Sequence, residues 1–360
     1  MTRARGAVLP RAAAVFALAA VAPLFFNAGG EVVHNMVLAA AYVMMALGLN
    51  IIVGYAGLLD LGYVAFFAIG AYTAAYLGSG YWADAGPDGR GIAVLVGEST
   101  AGMPGIHVNF LLILALAVGM TAAAGTLIGV PTLRLRGAYI AIVTLAFGEI
   151  IGRIVSNGRE IEVFGGTLTS GSNSIGPIDP IELPLSGPFE ALDLRPWYWF
   201  ALALVALALV VNVNLRDSRL GRAWIAMRDD ELVAACAGIP IVRTKLLSYG
   251  AGAAFGGMSG AFLASYLAFV DPGEFKFSFS IFILAMVVLG GLGSISGVVV
   301  GAIVLSVVNH YLLPDVLSDL PSEVGLAFDL SAISSGIYGA ILVVVMLLRP
   351  PGLVPVRISD

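Results

Sequence analysis

The chain has 360 residues, of which 59% are hydrophobic and only 11% are charged, and its mean hydropathy is +0.97. A soluble protein of this length needs far more charge on its surface, so the composition excludes a soluble globular fold and predicts an integral membrane protein. The net charge of −5 says little about partners, and the one cysteine, Cys236, cannot form an internal disulfide.

Apolar stretches long enough to cross a bilayer follow one another along the chain. About 20 apolar residues span the hydrocarbon core as a helix, and every backbone group inside the bilayer must be bonded internally. The first stretch follows Arg3, Arg5 and Arg11 like a signal peptide, but no clear cleavage site precedes Asn27, which favours an uncleaved helix. The sequence predicts membrane-spanning stretches at 12–28, 36–53, 61–79, 108–130, 137–155, 196–214, 246–270, 277–308 and 332–348.

The positive charges predict the orientation of these stretches. If the N-terminus lies in the cytoplasm and each early stretch crosses once, 13 of the 18 Lys and Arg residues fall on the inner side. This bias agrees with the positive-inside rule. The acidic regions 80–107 and 156–195, rich in Gly and Pro, are then predicted as extracytoplasmic loops, and the charged segment 216–245 is predicted as cytoplasmic.

The uncharged stretch 277–308 is too long for one straight crossing. It must begin and end on the same side if 332–348 crosses once and Arg349 lies inside. A straight helix of this length would measure about 48 Å, against a hydrocarbon core of about 30 Å. Its middle, GGLGSISG at 290–297, is poor helix material. We predict two short helices that meet at a glycine break; one long tilted helix with small residues for packing is the alternative.

A second glycine-interrupted stretch runs from Asn50 to Tyr72 and contains Asp60. Broken helices at membrane depth are tolerated where they are buried in protein or line a cavity, and a buried acid there is costly. Both stretches are candidate walls of a substrate pathway, although glycines also permit close helix packing. The candidate pathway residues are Asn50, Gly54, Tyr55, Gly57, Asp60, Phe66, Thr144, Gly290, Gly291, Gly293 and Ser294.

Two further features lie near the predicted outer side. Glu149 and Arg153 are four residues apart in one helix, which predicts a structural ion pair, with substrate contact as the alternative. The segment 165–177, GGTLTSGSNSIGP, is rich in hydroxyl groups but lacks the phosphate-binding pattern of a P-loop. It is interpreted as a surface loop or a substrate-entry loop.

No catalytic constellation is recognisable. His34, His107 and His310 are scattered, and no set of residues has the spacing of metal ligands. No nucleotide-binding fingerprint or nucleophile elbow occurs. We therefore expect a chain that is not an enzyme and binds no cofactor, metal or nucleic acid, so that any ATP chemistry comes from another chain.

The cytoplasmic segment 216–245 has the character of a protein-docking site. The spacing predicts one helix over 222–238, closed by Gly238 and Pro240. Small residues follow three acids, and small residues let a partner surface approach closely; a helix lying on the inner leaflet is the alternative. The candidate docking residues are Arg222, Met227, Arg228, Asp229, Asp230, Glu231, Ala234, Ala235 and Gly238.

These segments resemble a known family. The segment around Glu231 resembles the Glu-Ala-Ala loop of permease subunits of ATP-binding-cassette importers, although two residues separate Glu231 from the alanine pair. The chain is similar to the M-type permease of branched-chain amino acid importers. Asp60, where relatives often have a small hydroxylated residue, and the loop 80–107 depart from that pattern. The resemblance is carried by NIIVGYAGLLDLGYVAFFAIGAYTAA, LRLRGAYIAIVTLAFGEI, GRAWIAMRDDELVAACAGI, TKLLSYGAGAAFGGMSGAF, VLGGLGSISGVVVGAIV and RPPGLV.

The resemblance implies an all-α fold like that of type II importer permeases, a single transmembrane permease domain over 1–360 with about eight to ten spanning helices. It implies a bacterial inner-membrane location with both termini cytoplasmic. It implies four kinds of contact: membrane lipid, a second homologous permease, two cytoplasmic ATPases that bind ATP and Mg²⁺, and an extracytoplasmic binding protein. A permease for urea or short amides and a secondary transporter remain the alternatives.

Overall fold

The computed structural model describes residues 16–83, 91–96, 103–133, 135, 137–163, 166–183, 187–190 and 192–310, together with 336, 339–340, 343–344, 347 and 352–354. The predicted span 332–348, the predicted outer segment 309–331 and the arginines near both termini lie wholly or largely outside the described residues.

The described residues form a helical protein, which confirms the all-α prediction. The helices are α1 (Phe16–Phe25), α2 (Glu31–Leu49), α3 (Val64–Leu77), α4 (Phe110–Thr132), α5 (Ala138–Asn157), α6 (Arg195–Asp217), α7 (Arg219–Asp229), α8 (Glu231–Cys236), α9 (Ile241–Leu267), α10 (Phe277–Gly290) and α11 (Ile295–Val307). A π-helical turn, Asn50–Tyr55, continues α2.

Four helices of the described chain are long and apolar enough to cross a membrane: Glu31–Tyr55, Phe110–Thr132, Tyr139–Glu160 and Arg195–Asp217. They lie at predicted spans, so the chain is a multi-pass membrane protein. Helix α9 has 27 residues but a more moderate hydropathy, because glycines replace larger apolar side chains along it. It is therefore covered by other helices rather than by lipid.

Helix α9 lies at the centre of the bundle and packs against α2, α3 and α4. Glycines make this packing possible. A Cβ atom at Gly70 of α3 would lie 2.5 Å from the Cα of Gly257 in α9, and one at Gly252 would lie 2.8 Å from the carbonyl oxygen of Gly48 in α2. Since no side chain fits between these backbones, the glycines of α9 serve helix packing.

The two predicted outer loops meet at one end of the bundle, called here the loop end. Strands β1 (Gly78–Ser79), β2 (Ile92–Val94) and β3 (Ile106–Val108) form a sheet in the order β1-β3-β2. Two hairpins follow α5, β4 (Glu162–Val163) with β5 (Gly166–Thr167) and β6 (Glu182–Leu183) with β7 (Gly187–Pro188).

The prediction of plainly exposed loops is wrong for part of this region, because its apolar side chains form a small core. Ile175, Ile178 and Ile181 are buried, and the imidazole of His107 contacts the Asp179 carboxylate at 2.7 Å. Burial raises the pKa of Asp179, and the hydrogen bond from His107 opposes that shift. The loops are thus joined to each other at the loop end.

The predicted break in 277–308 is confirmed. Helices α10 and α11 are separated by residues 291–294 and pack against each other in opposite directions. Tyr42 of α2 contacts both Phe279 near the start and His310 after the end, with ring centroids 6.1 and 5.9 Å away. The stretch therefore begins and ends at the same level of the bundle, as the sequence predicts.

Close packing against α9 predicts that two glycine substitutions differ in their effect on the melting temperature. Gly70→Ala should lower the apparent melting temperature of the detergent-purified protein, because overpacking against a backbone costs about 1–3 kcal/mol. Gly119→Ala, whose Cβ would meet nothing within 4 Å, should leave the melting temperature unchanged or slightly raised. Equal melting temperatures for the two variants would contradict the packing account.

Candidate functional site

The two glycine breaks meet each other at the end of the bundle opposite the loop end. The side-chain Oδ1 of Asn50 accepts a hydrogen bond of 2.8 Å from the backbone N–H of Gly293. A Cβ atom at Gly54 would lie 2.6 Å from the same nitrogen. We call this contact between the π-helical turn 50–55 and the tip 291–294 the break junction.

The tip of the α10–α11 hairpin has a conformation that glycine permits. Gly291 and Gly293 have φ angles of +116° and +83°, which other residues rarely adopt. Ser294 then caps α11, since its Oγ accepts from the N–H of Gly297 at 3.1 Å. Ser294 was predicted as a pathway residue, and the described contacts give it a capping role.

The closing segment of the chain covers the end of α10. The backbone N–H groups of Leu353 and Val354 donate to the carbonyl oxygens of Leu289 and Gly290 at 2.9 and 3.2 Å. These carbonyls have no partner within the helix because they lie in its last turn. Leu353 and Val354 of the closing segment therefore satisfy the carbonyl groups that the glycine break leaves free at the end of α10.

The π-helical turn shifts the backbone pairing at the end of α2. The N–H of Ala56 donates to the carbonyl of Ile51 at 3.2 Å, five residues earlier. Such turns are rare and frequent at functional sites. The carbonyl of Gly54 is left to accept a hydrogen bond from a side chain, the guanidinium of Arg228.

Arg228 lies against the break junction. Besides its bond to Gly54, its side chain covers Gly57, where a Cβ atom would lie 2.8 Å from the Arg228 Cγ. Gly57 has a φ of +69°. A Cβ atom at Gly293 would lie 3.2 Å from the Arg228 Nη1. Arg228 was predicted to contact an ATPase, and that role stays a prediction beside these contacts within its own chain.

Asp60 lies between the π-helical turn and α3 and is only 1% exposed. Its Oδ1 accepts from the N–H of Gly62 at 2.8 Å, while its Oδ2 has no partner among the described residues. Thr144 of α5 accepts from the N–H of Leu61 at 3.0 Å, and this ties the loop to α5. A buried carboxylate oxygen without a partner is costly, so Asp60 stays a candidate pathway residue.

The remaining pathway candidates are packed within the protein. Phe66 is 1% exposed and makes an edge contact with Tyr63, with ring centroids 5.8 Å apart. Tyr55 is buried at the turn. Gly290 packs on the backbone of α11 near Gly297. Their roles in transport stay predictions.

The prediction of one helix over 222–238 is wrong. The segment forms α7 and α8, separated by Asp230 in an extended conformation with φ −156°. The Oδ1 of Asp230 accepts from the N–H groups of Leu232 and Val233 at 2.8 and 3.0 Å. An aspartate that bonds the following backbone ends one helix and caps the next.

Glu231 forms an ion pair within the chain. Its Oε1 lies 2.8 Å from the Nζ of Lys245 in α9. The Lys245 side chain is only 3% exposed, whereas that of Glu231 is 42% exposed. A charge reversal at Glu231 would therefore disturb α9 as well as any partner contact.

The outward side of α8 is apolar. Leu232 and Val233 are 68% and 63% exposed, while Ala234 is buried against the bundle. We define the α8 face as Leu232, Val233, Ala235 and Cys236, all exposed. Leu232, Val233 and Cys236 were not among the predicted docking residues, although two large apolar residues in a charged segment were a usable signal.

Among the other predicted docking residues, some are buried against the bundle and others are exposed. Met227 is buried beside α9, and Arg222 donates to the carbonyl of Asp217 at 2.7 Å. Asp229 is exposed. Gly238 ends α8 with a φ of +85°, a conformation that favours glycine.

The predicted ion pair between Glu149 and Arg153 is not formed. Both side chains are exposed, and the ion pairs within 4.0 Å in the described chain join other residues. Exposed pairs of this kind contribute little free energy, so helical spacing alone does not bring the side chains together.

Broken helices that meet inside a multi-pass helical bundle are typical of membrane transport proteins. The family model for the permease component of branched-chain amino acid transport systems matches residues 32–346. The high-affinity branched-chain amino acid transport permease LivM of Escherichia coli is 36% identical, covering 95% of this chain and 74% of that protein. The chain therefore belongs to this permease family.

More distant relatives include both permease types of such systems. The probable LivM of Methanocaldococcus jannaschii is 24% identical, with 87% of this chain and 90% of that protein covered. The LivH permease of Escherichia coli is 22% identical, with 77% and 83% covered. No solved structure matches the chain.

The Glu231–Lys245 pair predicts a recoverable loss of stability. Glu231→Gln should lower the apparent melting temperature and cost about 1–3 kcal/mol of stability, because the buried Lys245 ammonium keeps at best a neutral acceptor and loses its neutralising charge. The double variant Glu231→Gln/Lys245→Met should regain most of that loss, since it removes the buried charge. Additive losses in the double variant would contradict the pairing.

Proposed function

We propose that this chain forms half of the translocation pathway of an ATP-driven importer for branched-chain amino acids. Its family and the branched-chain amino acid transport for which its relatives are named support the substrate class. The observation that carries the proposal is the α8 face, an apolar surface on a charged segment at the end that carries the break junction. The location proposed is the bacterial inner membrane, with both chain termini cytoplasmic.

The partners proposed for the α8 face are two cytoplasmic ATPase subunits, which bind ATP and Mg²⁺ and of which one docks on this chain. Leu232 and Val233 would bury apolar area in a protein cleft. The acids Asp229 and Asp230 lie next to the α8 face, and an anionic lipid surface would repel their negative charges. A protein partner therefore fits the charge pattern better than the inner leaflet does.

Two further partners complete the proposed assembly. A second, homologous permease would supply the other half of the pathway, which fits a family that includes both LivM and LivH proteins. An extracytoplasmic binding protein would deliver substrate to the loop end.

The mechanism proposed is alternating access. ATP binding closes the ATPase pair, α7 and α8 move with it, and the break junction changes which side of the membrane the pathway faces. Helix ends at the two breaks carry partial charges that suit the ammonium and carboxylate of an amino acid. This chain contributes no bond-breaking chemistry and works as a transport subunit.

The α8 face gives the first test. Leu232→Ser and Val233→Ser together should weaken co-purification of the ATPase subunits at least about tenfold, because apolar anchors dominate such interfaces. Leu192→Ser, which changes a leucine that is 85% exposed near the loop end, is the matched control and should retain the ATPases. Retention by the double variant would contradict docking at α8.

Cys236 is an exposed thiol on the α8 face and the only cysteine of the sequence, so it reports orientation without mutation. A membrane-impermeant maleimide should label it in inverted vesicles and spare it in intact cells. Adding the ATPase subunits to stripped inverted vesicles should slow the labelling several-fold. Labelling in intact cells would overturn the proposed orientation.

Substrate competition separates the proposal from its alternatives. With its second permease, binding protein and ATPases in proteoliposomes, the chain should take up labelled leucine, and excess isoleucine or valine should compete. Competition by urea or acetamide alone would favour the short-amide alternative. Uptake without ATP, driven by an ion gradient, would favour a secondary transporter.

A further inference from the structure

We propose that Arg228 is the positioning residue that joins the ATPase-docking segment to both glycine breaks, so that movement of α7 and α8 changes the break junction. This inference rests on the proposed function and adds the route by which docking reaches the pathway. In this proposal Arg228 acts through contacts within the permease rather than through contacts with the ATPase.

The contacts of Arg228 join three separate parts of the sequence. It belongs to the last turn of α7, two residues before the Asp230 cap that starts α8. Its guanidinium donates to the carbonyl of Gly54 in the first break. Gly293 of the second break lies so close that a Cβ atom there would be 3.2 Å from the Arg228 Nη1. One side chain therefore reaches both breaks.

Glycines form the cradle that holds this side chain. A Cβ atom at Gly57 would lie within 3.4 Å of the Cα, Cβ and Cγ of Arg228. Gly57 and Gly293 both have positive φ angles, +69° and +83°. The two glycines thus adopt backbone conformations that favour glycine, and because they have no side chain they also leave room for Arg228. Close contact on several sides lets a movement of α7 push on the cradle directly.

The charge of Arg228 is available for this contact. The ion pairs within 4.0 Å in the described chain do not include it, and the nearby Glu231 is paired with Lys245. Asp230 uses its Oδ1 to cap α8. A guanidinium holds several donors in a rigid fork, so it can bond a carbonyl and stay oriented, which a lysine does less well.

Helix α7 is itself fixed to the bundle by its inward face, so Arg228 is held at a defined position. The Nε1 of Trp224, a fully buried side chain, donates to the carbonyl of Thr244 in α9 at 2.8 Å. Met227 is also buried. Only Asp229 and Asp230 lie between Arg228 and α8, so a movement of α8 reaches Arg228 directly.

The test uses the full assembly in proteoliposomes with Arg228→Met, Arg228→Lys and the control Arg219→Met. Arg219 is an exposed arginine at the other end of α7, away from the breaks. The measurements are ATPase subunits retained, protection of Cys236 from maleimide by those subunits, and ATP hydrolysed per leucine taken up. The last ratio reports coupling, which a loss of folded protein alone does not change.

Arg228→Met should keep the ATPases and the protection of Cys236, while the ATP hydrolysed per leucine rises about tenfold, within the usual range of coupling between sites. Arg228→Lys should give an intermediate ratio, and Arg219→Met the wild-type ratio. If Arg228→Met does not accumulate, Arg228→Lys decides the question alone.

Two results would overturn the inference: an unchanged ratio in the Arg228 variants, or loss of the ATPases from Arg228→Met, which would make Arg228 a docking residue. Failure of the proposed function is a different result, because the wild-type chain itself would then bind no ATPase.

Discussion

The hydrogen bond from the Gly293 N–H to the Asn50 side chain is the contact on which the rest of the structure depends. It joins two breaks that lie 243 residues apart in the sequence. A hydrogen bond in a low-dielectric interior is strong, and leaving its donor unpaired there is costly. Asn50 is fully buried, so its carbonyl oxygen replaces water as the acceptor for a backbone group exposed by the glycine tip. The contact therefore stabilises both breaks at the point where they meet.

Three regions surround this junction: the central helix α9, the loop end, and the opposite end with α7 and α8. Helix α9 provides the centre, where glycines such as Gly257 bring backbones into contact. At the loop end, paired loops and the His107–Asp179 contact form a small folded cap. At the opposite end, the Asp230 cap starts α8, whose apolar face is exposed, while the exposed Arg228 bonds the Gly54 carbonyl of the first break. The docking surface and the pathway are thus separated by a few residues of one segment.

The sequence predicted much of this fold because its signals were long or strongly periodic. The apolar stretches and the break at Gly290–Gly297 follow from bilayer thickness and from the poor helix propensity of glycine. Contacts were harder to predict, since they depend on which distant segments meet. Arg228 was placed in a docking helix because its neighbours are charged, and the Gly54 carbonyl that binds it could not be identified from spacing. The split at Asp230 was missed because the hydrogen bonds that its side chain accepts from the N–H groups of Leu232 and Val233 outweigh helix propensity.

The most direct test of the account is the ATP hydrolysed per leucine taken up by proteoliposomes that contain Asn50→Ala in the full assembly. This variant removes the acceptor for the Gly293 N–H and leaves the α8 face untouched. The account predicts that the ATPases stay bound and that the ratio rises at least about fivefold, because the two breaks no longer move together. A wild-type ratio with a folded Asn50→Ala chain would contradict the claim that the break junction couples docking to transport.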